Sequence, residues 1–440
     1  MKGHRMIRQP RRLIRPHSLS LLAAVAIAGC QAEPQPATQV GCDPGNGGIT
    51  LPAGFCAVVV SDSVGRARHI DVAANGDVLL ALNNDRADDR SVIPGGIALL
   101  RDTDGDGRAD MVFRFGDNGG NEVLLDGEHL YFATDDAVLR YPFPAGAAGP
   151  TGPPDTIVSE LPNEANHRAK SLAMGPGASL FVNIGSPSNN CQEQPRAVGS
   201  PGLDPCPQLE TRAGIWRFDA NVSGQTQADG VRFATGLRNT VALRTHPSGT
   251  LFGVIHGRDQ LSALWDELYT DEESAELPSE EFVKIEEGDD YGWPYCYHDP
   301  ATNIKVLAPE YGGDGTITGR CAEMKDPLIG FPAHWAPNDL EFYTGTQFPE
   351  SYRGGAFVAF HGSWNRSPAP QGGYNVVFVP FEGESPTGTW EIFADDFAGA
   401  DVSPRGADHR PVGLAVGPDG SLFISDSQVG KVWKVMYKGQ

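Results

Sequence analysis

The chain has 440 residues, of which 54 are glycine and 35 are proline, and it carries a formal charge of −22. This length allows a large buried core, and the many glycines and prolines, with few long helical patterns, favour an all-β protein. The acidic excess argues against nucleic acid as a partner, because binding to phosphate needs clustered lysine and arginine.

The first 29 residues have the pattern of a secretory signal. They contain six lysines and arginines and no acidic residue, and the basic residues precede an apolar segment at 19–27. This segment is too short to span a bilayer. The ending Ile27-Ala28-Gly29-Cys30 resembles the lipobox of bacterial lipoproteins, in which Cys30 would become the lipid-modified first residue. The alternative is a simple cleaved signal with an incidental cysteine. The interpretation predicts an exported protein, periplasmic or anchored in the outer membrane through Cys30, with a flexible tether at 30–48.

A hairpin pattern recurs six times in the rest of the chain. In segment 236–259, an apolar run with Val241 and Leu243 leads into the turn 246–249, and a second apolar run follows. The other copies begin near Ile70, Val123, Leu172, Leu340 and Val412. Radial repetition of small sheets protects their edges, so the pattern predicts a six-bladed β-propeller over 49–440. We expect the early run at 55–61 to pair with the last strands. A two-sheet sandwich is the alternative, because the spacing between copies is irregular.

Six cysteines remain when Cys30 is set aside, and an even number in an exported protein favours disulfides. Sequential pairing closes short loops and is the prediction among the possible connectivities. The predicted pairs are Cys42 with Cys56, Cys191 with Cys206, and Cys296 with Cys321. Metal ligation by cysteine is less favoured, since no C-x-x-C motif occurs.

The segment 102–110, DTDGDGRAD, is the first stretch that suggests a ligand. Its carboxylates at Asp102, Asp104 and Asp106, followed by a glycine, resemble the start of a calcium-binding loop. An EF-hand would need a glutamate at the twelfth position, where Phe113 stands, although Asp110 could serve in a shorter loop. Structural calcium and a plain solvated turn between blades are both open interpretations.

Polar residues precede the first strand of several repeats. His167 stands just before the third copy, Arg238-Asn239 before the fourth, and His409-Arg410 before the last. An isolated histidine is more often structural than catalytic, but corresponding positions in different blades meet near the axis of a propeller. Convergence of cationic side chains in an acidic protein predicts a site for an anionic ligand.

Five phrases of the chain carry a resemblance to a known family: NHRAKSLAMGP, GLRNTVAL, EEGDDYGWPYC, FVAFHGSWNRS and RPVGLAVGPDGSLFISD. They resemble the soluble quinoprotein sugar dehydrogenases, in particular the branch of L-sorbosone and pyranose dehydrogenases, from about residue 51 to residue 437. The resemblance implies a six-bladed propeller that holds pyrroloquinoline quinone (PQQ) and Ca²⁺ at one end of its channel. The order of His167, Arg238-Asn239 and the segment 291–294 is its most specific part.

The same resemblance implies roles for individual residues. His167 would be the base that takes the hydroxyl proton while hydride leaves the substrate carbon. Arg238 would stabilise charge on the quinone oxygen. The implied cofactor contacts are Arg238, Asn239, Arg366, His361 and Arg410. The implied calcium ligands are the backbone of Gly257, Arg258 and Tyr291 and the carboxylate of Glu281.

Together these features predict an oxidoreductase for an aldose or a sugar aldehyde such as sorbosone, reoxidised by an external acceptor such as a cytochrome or a quinone. Two alternatives stay open at this point. One is a non-enzymatic propeller lipoprotein that binds a ligand or a protein, and the other is a calcium-dependent hydrolase of the lactonase kind. The acidic insertion at 261–281 predicts a short helix and loop, either near the mouth of the site or as a surface excursion.

Overall fold

The computed structural model of the chain describes residues 40–87, 89–164 and 166–439. The predicted signal peptide, the predicted anchor at Cys30 and most of the predicted tether lie outside these ranges. Within them, no helix combines the length and the apolar character needed to cross a membrane.

Six blades of four antiparallel strands follow one another along the described chain, and a short fifth strand pairs in parallel with the outer edge of the second blade. Blade one consists of strands Ala67–Val72, Val78–Leu82, Gly96–Arg101 and Met111–Phe115. Blade two consists of Gly120–Asp126, His129–Thr134, Val138–Pro142 and Asp155–Ser159, with Gln225–Thr226 added at the outer edge. Blade three consists of Leu172–Gly175, Ser179–Ile184, Gly214–Asp219 and Val231–Thr235. Blade four consists of Ala242–Thr245, Leu251–Ile255, Glu280–Ile285 and Ile329–Phe331. Blade five consists of Pro337–Phe342, Ala356–Phe360, Asn375–Val379 and Glu391–Ala394. Blade six consists of Pro411–Val416, Leu422–Asp426, Val432–Tyr437 and the early strand Phe55–Ser61.

Smaller elements fill the connections. Two short α-helices lie between blade-four strands, at Leu261–Leu264 and Asp271–Glu276. Three two-stranded hairpins are Asp85–Arg86 with Val92–Ile93, Cys296–Asp299 with Ile304–Leu307, and Phe381–Glu382 with Ser385–Pro386. Single 3₁₀ turns occur at Pro44–Gly47, Pro176–Ala178, Pro207–Glu210, Gln227–Asp229, Pro309–Tyr311, Gly319–Glu323 and Glu350–Tyr352.

Strand Phe55–Ser61 closes the ring of blades. It pairs antiparallel with Val432–Tyr437, from Phe55 opposite Tyr437 to Ser61 opposite Val432, as the sequence predicted. The first strands of neighbouring blades contact one another all the way around, from blade one through blade six and back to blade one. The predicted six-bladed propeller is therefore confirmed, and the sandwich alternative is wrong.

Burial explains the strand sequences. Second strands such as Val78–Leu82 and Ala356–Phe360 are apolar at every position and buried throughout, because neighbouring blades cover both faces. An outer strand such as Met111–Phe115 is largely exposed. At the closure, the Phe55 ring packs edge-on against Phe348, with 4.8 Å between ring centroids, so the added strand also contributes to the core.

The described residues before 49 are fixed to the propeller. The Asp43 carboxylate accepts a hydrogen bond of 2.7 Å from the Val59 backbone and forms an ion pair with Arg108. A disulfide joins Cys42 to Cys56. This differs from the prediction of a flexible tether extending to residue 48. The other two predicted disulfides, Cys191 with Cys206 and Cys296 with Cys321, are also present.

Charged side chains connect the inner strands of neighbouring blades. Asp71 accepts the Leu125 amide of the next blade, and Asp339 accepts the Leu414 amide, both at 2.7 Å. Arg244 of blade four is 2.5 Å from Glu341 of blade five and donates to the Leu340 carbonyl at 3.1 Å. These side chains satisfy backbone groups that the curved inner strands would otherwise leave unpaired.

We expect Arg244→Met to destabilise the propeller by about 3 kcal/mol, because it leaves Glu341 largely buried beside Asp339 without its cation. Chemical denaturation of the purified protein would measure the change. The matched control is Lys284→Met, which removes one partner of the more exposed pair with Glu286 and should cost less than about 1 kcal/mol. Equal losses in the two variants would contradict a structural role for the channel ion pair.

Candidate active site

One end of the channel collects residues from two places in each blade. In an antiparallel hairpin the start of the first strand lies beside the end of the second, as Pro411 pairs with Asp426 in blade six. Residues that precede first strands therefore meet residues that follow second strands. At this end the chain places Arg68, His167, Arg238, His256, His361 and Arg410, which we call the axial cluster.

His167 is held in a defined tautomer. Its Nδ1 lies 2.8 Å from the Ser186 carbonyl, and because a carbonyl can only accept, Nδ1 carries the hydrogen and Nε2 keeps its lone pair. The residue has a positive φ of 48°, and a Cβ on Gly185 would come within 2.6 Å of the His167 Cβ. Burial, followed by the charge of Arg238, lowers the pKa of His167 well below its ordinary value. The imidazole is therefore neutral near pH 7 and can accept a proton.

Lys170 supports the loop that carries His167. Its buried ammonium donates to the carbonyls of Pro162 and Arg168, at 2.7 Å and 2.6 Å. Burial lowers the pKa of Lys170 to about 8. Lys170 therefore stabilises the backbone of the loop that precedes the first strand of blade three.

Arg238 is fixed by the protein on three sides. Its guanidinium donates to the Gly257 carbonyl at 2.7 Å, to the Asn189 backbone and side chain, and to the Asp259 carboxylate at 2.9 Å. The neighbouring Asn239 is buried, with its side-chain oxygen 3.4 Å from Asn183 Nδ2. The predicted pair therefore lies at the axial end, but most hydrogens of Arg238 already have acceptors.

Asp259 connects three blades and was not predicted as a site residue. Besides Arg238, it accepts from Asn365 at 2.9 Å, and its backbone exchanges hydrogen bonds with the Asn189 side chain. Burial raises the pKa of Asp259, but Arg238 and neighbouring histidines outweigh this and leave it below the ordinary value. Its position just after the second strand of blade four is the signal that could have identified it.

Arg68 and Arg410 are the two arginines of the cluster without a carboxylate partner among the described residues. Arg68 donates through Nε to Asn121 at 2.8 Å. Arg410 donates to the carbonyls of His361 and Gly362 and lies over the Tyr374 ring. Burial and nearby arginines lower the pKa of Arg68 to about 10, and burial lowers that of Arg410. Two guanidiniums at one end of the channel, neither in an ion pair within the described chain, form a site for an anion.

Two imidazoles lie beside these guanidiniums. Burial, then Arg238, lowers the pKa of His256 to about 4, and its buried Nδ1 has no hydrogen-bond partner in the part of the chain that is described. His361 contacts the Ser427 hydroxyl at 2.7 Å, and burial together with Arg410 and Arg68 lowers its pKa. Arg68 and His256 were missed in the sequence, although Arg68 is the second residue of its blade's first strand and His256 directly follows the second strand of blade four.

Arg366 is positioned differently from the prediction. Its guanidinium donates to the carbonyls of Ala275 and Ala333, each at 2.8 Å, and pairs with Glu276. These contacts make it a brace for helix Asp271–Glu276 rather than a free cation of the axial cluster. The insertion at 261–281 forms two short helices. His334 Nε2 donates to the Ser274 carbonyl in the second helix at 2.9 Å, and its Nδ1 lies 3.9 Å from an Asp259 carboxylate oxygen.

The four predicted calcium ligands line a single cavity. Gly257, Arg258, Glu281 and Tyr291 all border it, together with His256 and Trp293. However, the Gly257 carbonyl already accepts from Arg238, and Lys305 Nζ lies 2.7 Å from Glu281 and donates to the Tyr291 carbonyl. The residues present therefore do not fit a calcium ion bound between Glu281 and Tyr291.

The acidic loop has a different geometry. Ligand atoms of Asp102, Asp104 and Asp106 lie within 4.8 Å of one another, which is the one such group among the described residues. Asp110 instead accepts from the Thr103 hydroxyl at 2.6 Å. Three carboxylates at this spacing could hold a hard cation.

The chain belongs to a known family. The sequence model of the TrAA12-like family matches residues 49–438. Among curated proteins, an uncharacterized protein of Borreliella burgdorferi is 28% identical over 208 residues, 47% of this chain and 48% of that protein. The pyrroloquinoline quinone-dependent pyranose dehydrogenase of Coprinopsis cinerea is 26% identical over 274 residues, 54% of this chain and 36% of the relative. The matches thus span about half of these relatives or less.

Solved structures extend the likeness over the whole propeller. An AA12 carbohydrate-active enzyme of Trichoderma reesei superposes with a TM-score of 0.71 at 20% identity, covering 91% of this chain and 99% of the other. The holo form of the PQQ domain of pyranose dehydrogenase from Coprinopsis cinerea gives a TM-score of 0.70 at 20% identity, with coverage of 92% and 99%. At these identities the likeness concerns the fold. The resemblance drawn from the sequence is confirmed at the level of the family.

If the acidic loop binds calcium, millimolar Ca²⁺ should raise the melting temperature of the unloaded protein relative to chelator. The double variant Asp104→Asn, Asp106→Asn should lose that increase, because two of the three converging carboxylates become neutral. Thermal unfolding followed by circular dichroism measures both. Asp62→Asn, at an exposed aspartate in another loop, is the control. An increase that survives in the double variant would contradict the loop as the binding site.

Proposed function

We propose that the chain is a PQQ-dependent oxidoreductase of sugars, with its cofactor at the axial cluster. The observation that carries the proposal is the pair Arg68 and Arg410, two guanidiniums at the axial end without carboxylate partners in the described chain. PQQ is a tricarboxylate, and such guanidiniums form charge-assisted hydrogen bonds with carboxylates. The names of the Coprinopsis cinerea relative and of its holo domain structure support the same assignment.

The cluster residues fit the quinone in chemical terms. Arg68 and Arg410 would hold its carboxylates, with His256 and His361 beside them as neutral imidazoles. Arg238, already oriented by Asp259, would place positive charge near a quinone oxygen. Asn239 would contact the cofactor next to it. When bound, the quinone supplies a two-electron acceptor for hydride.

His167 is proposed as the catalytic base. With Nδ1 donating to the Ser186 carbonyl, its Nε2 lone pair is available for the hydroxyl proton of the substrate. The hydroxyl oxygen loses this proton as hydride leaves the carbon that bears the hydroxyl group. An alcohol or hydrated aldehyde carbon is thereby oxidised by two electrons. Lys170 holds the loop in this position, and Gly185, which has no Cβ, leaves room for His167. The substrate class is an aldose or a sugar aldehyde such as sorbosone, and an external cytochrome or quinone would reoxidise the cofactor.

Export and anchoring belong to the same proposal. Three disulfides suit an oxidising compartment, which favours export to the periplasm or the cell surface. A signal peptide at 1–29 and a lipid anchor at Cys30 would follow from the lipobox-like sequence.

Quinone binding to the purified apo-protein tests the assignment. We expect saturable PQQ binding in a fluorescence titration, and dye reduction with a panel of aldoses and sugar aldehydes only when quinone is present. Arg68→Met and Arg410→Met should each weaken quinone binding about tenfold or more, because each removes a charge-assisted contact. Arg353→Met, at the opposite hairpin turn of blade five, is the matched control.

Quinone binding that is unchanged in both variants would refute the axial cluster as the cofactor site. If the wild-type protein neither binds quinone nor reduces dye with any sugar, the proposal fails as a whole. Hydrolysis of lactones without quinone would then favour the hydrolase, and retention of an anionic ligand without turnover would favour a binding propeller.

The pH profile of turnover tests His167. A base must be neutral, and a histidine with a lowered pKa stays neutral to more acidic pH. We therefore expect the acid limb of kcat/KM to lie below pH 6.5. His167→Gln should lower kcat/KM by about 10²-fold or more while quinone binding is kept. His129→Gln, at a hairpin far from the axial cluster, should leave both unchanged. Turnover that survives in His167→Gln would exclude the residue as the base.

A further inference from the structure

Lys305 is a buried lysine in the hairpin between the third and fourth strands of blade four. It is 2% exposed and pairs with His298 in the hairpin ladder. Its ammonium lies 2.7 Å from a Glu281 carboxylate oxygen, donates to the Tyr291 carbonyl and lies 5.5 Å from the centre of the Tyr291 ring. A carboxylate, a carbonyl and an aromatic face thus surround one positive charge.

The ammonium of Lys305 contacts two of the residues that were predicted to bind calcium. Glu281 and Tyr291 are two of the four predicted ligands, and they line the same cavity as Gly257 and Arg258. The cavity has room for about one water-sized particle. A calcium ion bound to the same two oxygens at about 2.3–2.6 Å would lie directly against the ammonium. The two cations cannot share these ligands.

Three carboxylates in or near the cavity already form ion pairs within the chain. Arg238 pairs with Asp259 at 2.9 Å, and Arg258 pairs with the buried Glu310 at 2.5 Å. Glu281 is therefore matched by Lys305 alone. Glu280 is an acidic side chain beside the cavity without an ion-pair partner in the described chain, and its oxygens accept the amides of Gly257 and Ala336 at 2.7 Å and 3.1 Å. A divalent ion at Glu281 and Tyr291 would therefore place its charge beside the ammonium that already balances Glu281.

We propose that Lys305 is a built-in cation that takes the place of a metal ion at Glu281 and Tyr291. Its ammonium lies against the Glu281 carboxylate in the interior, and it holds the segment 291–294 through the Tyr291 carbonyl. Two residues on, Trp293 donates to the Asn189 carbonyl at 2.8 Å, and the same carbonyl accepts from Arg238 at 3.1 Å. Blade four is thus joined to the axial cluster without a metal. A vacancy made by removing the ammonium would be a site for a hard divalent cation.

The test uses the full chain without quinone or sugar, so its result is independent of the proposed function. All variants carry Asp104→Asn and Asp106→Asn to remove the other converging carboxylates. This background protein should melt at the same temperature in millimolar calcium and in chelator, and calorimetry should detect no calcium binding. Lys305→Ala should melt lower in chelator, and calcium should raise its melting temperature by about 2 °C or more.

Two further variants identify the site. Lys305→Met fills the space with an apolar chain and should be destabilised without responding to calcium. Lys305→Ala combined with Glu281→Gln should lose the calcium response, because the anionic ligand is gone. Calcium binding by the background protein that disappears with Glu281→Gln would overturn the proposal, since a metal would then bind beside Lys305. A folded Lys305→Ala that ignores calcium would also overturn it.

If Lys305→Ala does not fold, two variants that differ in the charge at position 281 test the proposal. Lys305→Met combined with Glu281→Gln removes both charges and should melt higher than Lys305→Met alone, because no unpaired carboxylate is left buried. A double variant no more stable than Lys305→Met would show that the ammonium does not serve to balance Glu281, and the proposal would be wrong.

Discussion

The pairing of Phe55–Ser61 with Val432–Tyr437 is the interaction on which the rest of the structure depends. It joins the beginning of the described chain to the last blade and makes blades six and one neighbours. At that junction the Ser425 hydroxyl donates to the Arg68 carbonyl at 2.7 Å. Arg68 and Arg410, 342 positions apart in the sequence, are thereby brought to one end of the axis. An open row of the same six sheets would leave these guanidiniums at its opposite ends.

The channel separates charge along its length. Toward the middle, carboxylates such as Asp71 and Asp339 accept backbone amides of adjacent blades, and Arg244 balances Glu341. At the axial end, Arg68 and Arg410 have no such partners among the described residues. A protein with a formal charge of −22 therefore presents a local cationic site, and this contrast favours an anionic ligand at that end alone.

Blade four contributes most of the fixed geometry. Asp259 orients Arg238, and burial followed by the charge of Arg238 lowers the pKa of His167, so one carboxylate positions a charge that acts on the imidazole. Lys305 stabilises the neighbouring turn through Tyr291. Pre-organisation of this kind restricts side chains before any ligand binds, which reduces the ordering that binding would otherwise require.

The sequence by itself determined the features that depend on local pattern. Hairpin periodicity predicted six blades and the closing strand, short loops predicted the disulfides, and residues preceding first strands predicted the positions of His167, Arg238 and Arg410. Only the tertiary structure decided which charges meet. Arg366 bonds Ala275, 91 positions away, and becomes a brace, while Lys305 reaches Glu281 from another hairpin. The reason is physical: a strand's period is read from its neighbours in sequence, whereas the partner of a buried charge is set by the packing of distant segments around it.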